Sequence, residues 1–491
     1  MVYRGQPSKD CLPCRKRKLR RPSCGQCKRA GIACSGYRDP NDFIFRDQTR
    51  MVHQKVSAAN SRALLPVSAD NDTLLLPDLT LGSIRTLQLD WVVRARHDFF
   101  AHYVFGMSGS YDMLATLYEE ARMGDHLATS VDAASLAFMA TSRHPGTPEL
   151  LRQATKYYTI ALRRLNEALS CQKTVAADST LQSVLLLDLF EKMVSRNLAA
   201  TASWMGHVYG GTMIAKVRGH RNLQTYVSQR LSTRLYITLV ISCGVAGTRI
   251  PEGLGELKRG LDALFHDRHD LKWRVTSLNE DVVNFRADVL EGRYSDNVDL
   301  VAEAKRLDGL FCAVEASLPP DWDPKRVATN NDDDIENCLV FGCYYDIYAH
   351  HAVTQVRNVI RTMRIHLHIL IQKHPASEDD IESSKAIVEA CVLDICAGVP
   401  QFILPRARPE NSTPFSPTQV LECFTILVPL YFAGHVSADP AVRPWTIGVL
   451  RYMAEVGGIE AARRTADTLE FSPEVEYWEM YSMLGGYAFA V

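Results

Sequence analysis

Five cysteines crowd into one short stretch near the N-terminus, "CLPCRKRKLRRPSCGQCKRAGIACSGY" at residues 11–37. Cys11 and Cys14 form one C-x-x-C pair, Cys24 and Cys27 form a second, and Cys34 follows after six intervening residues. Thiolate is a soft ligand that suits zinc, and two cysteines separated by two residues reach one tetrahedral metal within a tight turn. A single such pair is weak evidence of a metal site. Two pairs and a further cysteine, around eight Lys and Arg, are strong evidence. The segment has almost no aliphatic residues with which to build a core, so metal would have to supply its folding free energy. Free cysteines in an unstructured basic tail are the competing reading, and nothing would then order "GQCKRAGIACSGY".

Charge separates this segment from the rest. The formal net charge of the 491 residues is −1. Residues 1–50 carry 13 Lys+Arg against 4 Asp, a net of +9, which leaves −1 − 9 = −10 for the other 441. A basic head on a mildly acidic body is the footprint of a nucleic-acid-binding module joined to something else. Arg15, Lys16, Arg17, Lys18, Arg20 and Arg21 form a dense cationic helix start behind the first cysteine pair. Most would neutralise backbone phosphates, giving an affinity that falls steeply with salt. One or two would donate to guanine O6 and N7 in the major groove. The same run also reads as a nuclear localisation signal.

The elements that must carry this head come next. Residues 38–75 lack sustained periodicity and read as a linker, with no a/d heptads for a coiled coil. From Leu76 the chain becomes helical in pattern, and residues 76–491 read as one large all-α domain. "LRQATKYYTIALRRLNEALS" repeats Ala154, Tyr157, Tyr158, Ala161, Leu162, Leu165 and Leu169 at helical spacing, and Asp178 or Ser179 is placed to cap the helix that follows. "NDDDIENCLVFGCYYDIYAHHAVTQVRNVIRTMRIHLHILIQKH" reads as one long amphipathic helix or two stacked ones, with Asp332, Asp333 and Asp334 at its positive end. Irregular loops are expected near 292–299 and 403–416.

Composition bounds the class. The chain is 46% hydrophobic and 23% charged, so it can build a core and is not globally disordered. The apolar runs "LYITLVISCGVAG" and "CFTILVPLYFAGHV" fall short of the roughly 20 residues a bilayer needs and read as buried helices, not membrane spans. Arg4, Lys9 and Asp10 interrupt the first apolar residues, so no secretory signal is expected. The eight cysteines outside the cluster read as small core residues without disulfides. Catalytic patterns are missing: no phosphate loop follows a strand, and there is no G-x-S-x-G elbow. His366 and His368 cannot share one helical face, and His350/His351 read as satisfied or solvent-facing. Cys338/Cys343 and Cys391/Cys396 are five apart, about 500° around a helix, and so are poorly aligned as ligands. An enzyme is not expected.

The cysteine segment resembles the fungal binuclear zinc cluster of transcription factors. That pattern runs C-x-x-C, six residues, C, a short loop usually holding proline, then C-x-x-C, six residues, C. Cys11/Cys14 match its first pair, Cys24/Cys27 its second, Cys34 its last ligand and Pro22 its loop. The resemblance implies two zinc ions, with Cys11 and Cys24 as the bridging thiolates. It implies that Lys18, four residues after the second cysteine, reads bases, typically of CGG triplets, with Arg17 next. One position departs: Arg21 stands where the family has its third cysteine. Asp10 precedes the module and the first histidine is His53, so no other side chain replaces it. Either a few residues are missing between Leu19 and Pro22, or the protein has five ligands and the zinc held by Cys11, Cys14 and Cys24 lacks its fourth thiolate. Residues 93–218 resemble the fungal-specific transcription factor domain, through "RARHDFFAHYV", "KYYTIALRRLNEAL", "DSTLQSVLLLDLFE" and "SWMGHVYGGTMIAKVRG". Together the resemblances imply a nuclear regulator of RNA polymerase II genes that binds double-stranded DNA, alone or as a homo- or heterodimer with related zinc-cluster proteins. The other class implied is a scaffold of the same descent that has lost specific DNA binding and acts through its helical domain.

Overall fold

The computed structural model describes residues 90–484 apart from 107–110, 145, 195–200, 267–269, 330–337 and 473. The chain divides into Met1–Asp78 and Leu79–Val491, and every described residue lies in the second unit. Cys11, Cys14, Cys24, Cys27, Cys34, the cationic run 15–21 and the expected linker therefore lie outside the described residues.

The unit is helical almost throughout. Its first half holds α1 (Trp91–Asp98), α2 (Leu114–Glu119), α3 (His126–Phe138), α4 (Pro148–Ser170), α5 (Asp178–Val194) and α6 (Thr201–Arg218). Caps explain several starts. The Asp125 carboxylate accepts from the Ala128 N–H at 2.8 Å, and Pro148 opens α4, where its missing N–H costs nothing. Helix α4 then buries Leu150, Ala154, Tyr158, Ala161, Leu165 and Ala168, a single stripe at three- and four-residue intervals. That stripe packs on α3, which also lies against α1 and α5.

Four helices and a hairpin follow: α7 (Tyr226–Ala246), α8 (Gly255–His266), α9 (Leu271–Leu290), α10 (Asn297–Ala316), β1 (Lys325–Ala328) and β2 (Tyr344–Ile347). Helix α7 ends at Gly247, whose φ of +65° is the left-handed conformation that glycine adopts without strain. The second half is completed by α11 (His351–Lys373), α12 (Glu378–Ala397), α13 (Pro400–Ile403), α14 (Pro417–Val436), α15 (Val442–Glu455), α16 (Glu460–Phe471) and α17 (Tyr477–Leu484). Capping boxes open α12, through Ser377 and Asp380, and α14, through Ser416 and Gln419. One contiguous apolar core runs from Val92 to Trp478. The segments 378–403 and 417–436 have the length and composition of membrane spans, yet both are mostly buried. Helix α14 is enclosed by α11, α12, α15, α16 and α17, which accounts for its apolar surface on all sides.

The all-α expectation for the large domain holds, with one correction. The stretch read as one long helix or two stacked ones is broken by a strand: Cys338 and Leu339 are helical, Tyr344–Ile347 is a strand, and the long helix starts at His351. The strand pairs antiparallel with β1, Arg326 opposite Asp346. The Arg326 guanidinium grips the buried Asp346 carboxylate through Nε at 2.9 Å and Nη2 at 3.0 Å. Gly342, at φ +85°, breaks any helical path into the strand, and the His350 ring caps α11 by accepting from the Ala352 N–H at 3.2 Å. Asp332, Asp333 and Asp334 lie outside the described residues. The cysteine expectation holds in part: Cys243, Cys391, Cys396 and Cys423 are buried, Cys312 is half-buried, and Cys171, Cys338 and Cys343 are exposed.

Candidate functional site

Five helices close a ring in the second half of the unit. Helix α7 packs on α9, α9 on α11, α11 on α14, α14 on α17, and α17 back on α7. They surround a cavity of about 140 Å³. Its walls are largely branched aliphatic: Val240 from α7, Val275 and Val283 from α9, Val356 and Val359 from α11, Val428 from α14. Tyr477, Trp478 and Tyr481 on α17 supply an aromatic side.

Polar side chains come from α11, with Gln355, Asn358 and Thr362, from α14, with Thr425, and from α9. Lys272, Val275, Thr276, Asn279 and Val283 recur at three- and four-residue steps, which puts all five on one face. Thr276 is satisfied within the helix, its hydroxyl donating to the Lys272 carbonyl at 2.9 Å. The other two polar groups of α9 differ. Asn279 Oδ1 is buried and accepts no hydrogen bond among the described residues. The Lys272 side chain is half-buried, with Asp270 as the anion that acts on it. Burial pulls its pKa down to about 8, helped by the positive Arg234 and Arg230 and partly offset by Asp270. Opposite them, Pro429 interrupts α14 and removes the N–H that the Thr425 carbonyl would otherwise receive, and both residues line the cavity.

Trp478 is fixed from two directions. Its Nε1–H donates to His366 Nε2 at 3.4 Å, and burial with the nearby Arg286 and Lys373 charges pulls the His366 pKa down to about 3. The imidazole therefore stays neutral and available as an acceptor. The indole lies against Gly244 of α7, where an added Cβ would stand 2.6 Å from the ring.

A second buried cluster joins α10, α11 and α12. The Asp308 carboxylate accepts from Arg364 Nε at 2.7 Å and lies 3.3 Å from His368 Nε2, while His368 Nδ1 meets Ser384 Oγ at 3.0 Å. His366 and His368 thus face different neighbours, as a two-residue step on a helix requires. His351 Nδ1 lies 3.4 Å from the Glu422 carboxylate. Among the described residues no three His, Cys, Asp or Glu side chains stand together as metal ligands.

The candidate zinc and DNA-contacting residues all precede the described segment. Sequence reasoning passed over Lys272 and Asn279. The available signal was a lysine and an asparagine at apolar-face positions of a helix, which would ordinarily hold aliphatic residues. Neither a curated protein nor a solved structure matches the chain at a significant level. Residues 97–469 match the fungal specific transcription factor domain, which extends the resemblance read over 93–218 across both halves of the helical unit. With more than half its length inside that match, the chain belongs to the fungal specific transcription factor domain family, and its role lies in regulating transcription.

Proposed function

We propose that the protein is a nuclear, zinc-dependent, sequence-specific DNA-binding regulator of RNA polymerase II genes. The observation that carries this reading is two C-x-x-C pairs and a fifth cysteine around eight basic residues, ahead of a helical domain of the matching family. Cys11, Cys24, Cys27 and Cys34 make a full thiolate set for one zinc, by the family's bridging scheme. The second zinc would take Cys11, Cys14 and Cys24 and complete its shell with water, unless residues are missing beside Arg21. Lys18 would read a guanine and Arg17 would assist, while Arg15, Lys16, Arg20 and Arg21 would hold phosphates. The helical domain would serve regulation and pairing with like proteins, and catalysis has no part in this reading.

Arg21 in place of the third cysteine favours a second reading, a partner protein that no longer selects DNA sequence. Titration of the full chain with a CGG-containing duplex and a scrambled duplex separates the two. The first reading expects selective binding that is lost on zinc chelation. It also expects Lys18→Ala to cost about 1–3 kcal/mol on the CGG duplex only. Equal affinity for both duplexes, unaffected by chelation, would establish the second reading.

A further inference from the structure

We propose that the five-helix cavity is a binding site for a small aromatic or branched carboxylic acid that also carries a hydroxyl, its carboxylate meeting Lys272 and its hydroxyl donating to Asn279 Oδ1. Each part of that description comes from the cavity. The walls are aliphatic and aromatic, so the body of the ligand is apolar. Its size is that of a single ring or a short branched chain, since an apolar cavity of roughly 150 Å³ accepts one benzene. Lys272 is a half-buried cation on which the attraction of Asp270 is opposed by the repulsion of Arg234 and Arg230, and a partly desolvated charge without a close counter-ion is costly. A carboxylate supplies the missing charge. Asn279 Oδ1 is a buried acceptor without a donor, and a ligand hydroxyl supplies one. The two residues are two turns apart on α9, about 10 Å along its axis, which leaves room for one ring with its polar groups at opposite ends.

Burial lowers the Lys272 pKa to about 8, and an arriving carboxylate would favour the charged form again. Every wall helix packs on the next, so an occupant touches all five at once and stabilises the ring by mass action. The cavity lies in the helical unit and owes nothing to the cysteine segment, so its test is independent of zinc and DNA binding.

Three probes separate the contributions: 4-hydroxybenzoate carries both polar groups, 4-methylbenzoate the carboxylate alone and 4-methylphenol the hydroxyl alone. Calorimetric titration of the full chain should give one site, with 4-hydroxybenzoate the tightest of the three and the probe that most raises the melting temperature. Lys272→Met, apolar and of similar length, should weaken both acids about tenfold or more and leave 4-methylphenol unchanged. Asn279→Leu should weaken the two hydroxyl-bearing probes and spare 4-methylbenzoate. No binding by any probe overturns the proposal, as does acid binding that survives Lys272→Met. Should a variant fail to fold, the ranking of the probes on the unaltered protein decides, and equal affinity for all three would sink the assignment.

Discussion

Asp308 shows how much a single buried charge depends on its neighbours. Burial alone would push its carboxyl up, but hydrogen bonds from His368 and Arg364 outweigh burial and hold the pKa at about 2, against an ordinary 3.8. A folded-state pKa below the unfolded one gives stability that is complete above about pH 4 and is lost as the pH falls toward 2. Asp308→Ala would leave His368 without its carboxylate and Arg364 with only Glu315, 3.7 Å from Nη1, and should cost about 3 kcal/mol at pH 7 in urea unfolding. The cost should shrink by pH 2.5, where the native carboxyl is itself becoming protonated. A penalty of equal size at both pH values would show that Asp308 acts by packing and not by charge. This pairing was not legible in the sequence, because Asp308, Arg364 and Ser384 are far apart in the chain and carry no motif. The cysteines are the opposite case: C-x-x-C spacing is local, so the zinc chemistry proposed for them could be read from the sequence alone. Lys272 falls between the two. Its place on an apolar face could be read locally, but the repulsion it meets from Arg230 and Arg234 comes from another helix.

At the scale of elements, the longer helices announced themselves through apolar periodicity, a local property, whereas the cap expected at Asp178 or Ser179 lies inside α5, where the Asp178 carboxylate accepts from Arg218 and Ser228. The hairpin did not announce itself. "CYYDIY" has no turn signature on either side strong enough to outweigh the helical pattern after it, and its partner strand lies beyond the 330–337 segment. What fixes it is long-range, the Arg326–Asp346 pair and the Arg326 guanidinium 3.9 Å from the centre of the Tyr344 ring. Helix packing also sets where glycine is required. On α7, a Cβ at Gly244 would stand 2.6 Å from the Trp478 ring and 3.1 Å from Val283. Gly244→Ala should therefore force the α7–α17 contact apart, costing about 1–3 kcal/mol and shifting the Trp478 emission. Gly448, exposed in the middle of α15 with nothing near its Cβ direction, is the control. Gly448→Ala should be neutral or stabilise by about 0.5–1 kcal/mol. If both substitutions behaved alike in thermal unfolding, close approach of α7 to Trp478 would not be what Gly244 provides.

At the scale of the whole molecule, the proposed zinc-dependent head and the helical unit would hold their folds in two different ways. The head has few apolar residues, a net charge of +9 over residues 1–50 and the five cysteines proposed to bind zinc. The helical unit has a continuous apolar core built from residue 92 onward, and among its described residues there is no metal cluster. One part should therefore depend on zinc and the other should not. Thermal unfolding of the full chain, followed by circular dichroism at the helical band, should give the same main transition with and without a chelator. The same chelator should abolish selective binding to a CGG duplex. Residues 79–491 prepared alone should reproduce that transition within about 2 °C, since the division of the chain falls at Asp78. A main transition that drops by many degrees on chelation would show that metal supports the helical unit as well. The two-part division of labour, and with it the reading of the head as a separate DNA-binding device, would then have to be abandoned.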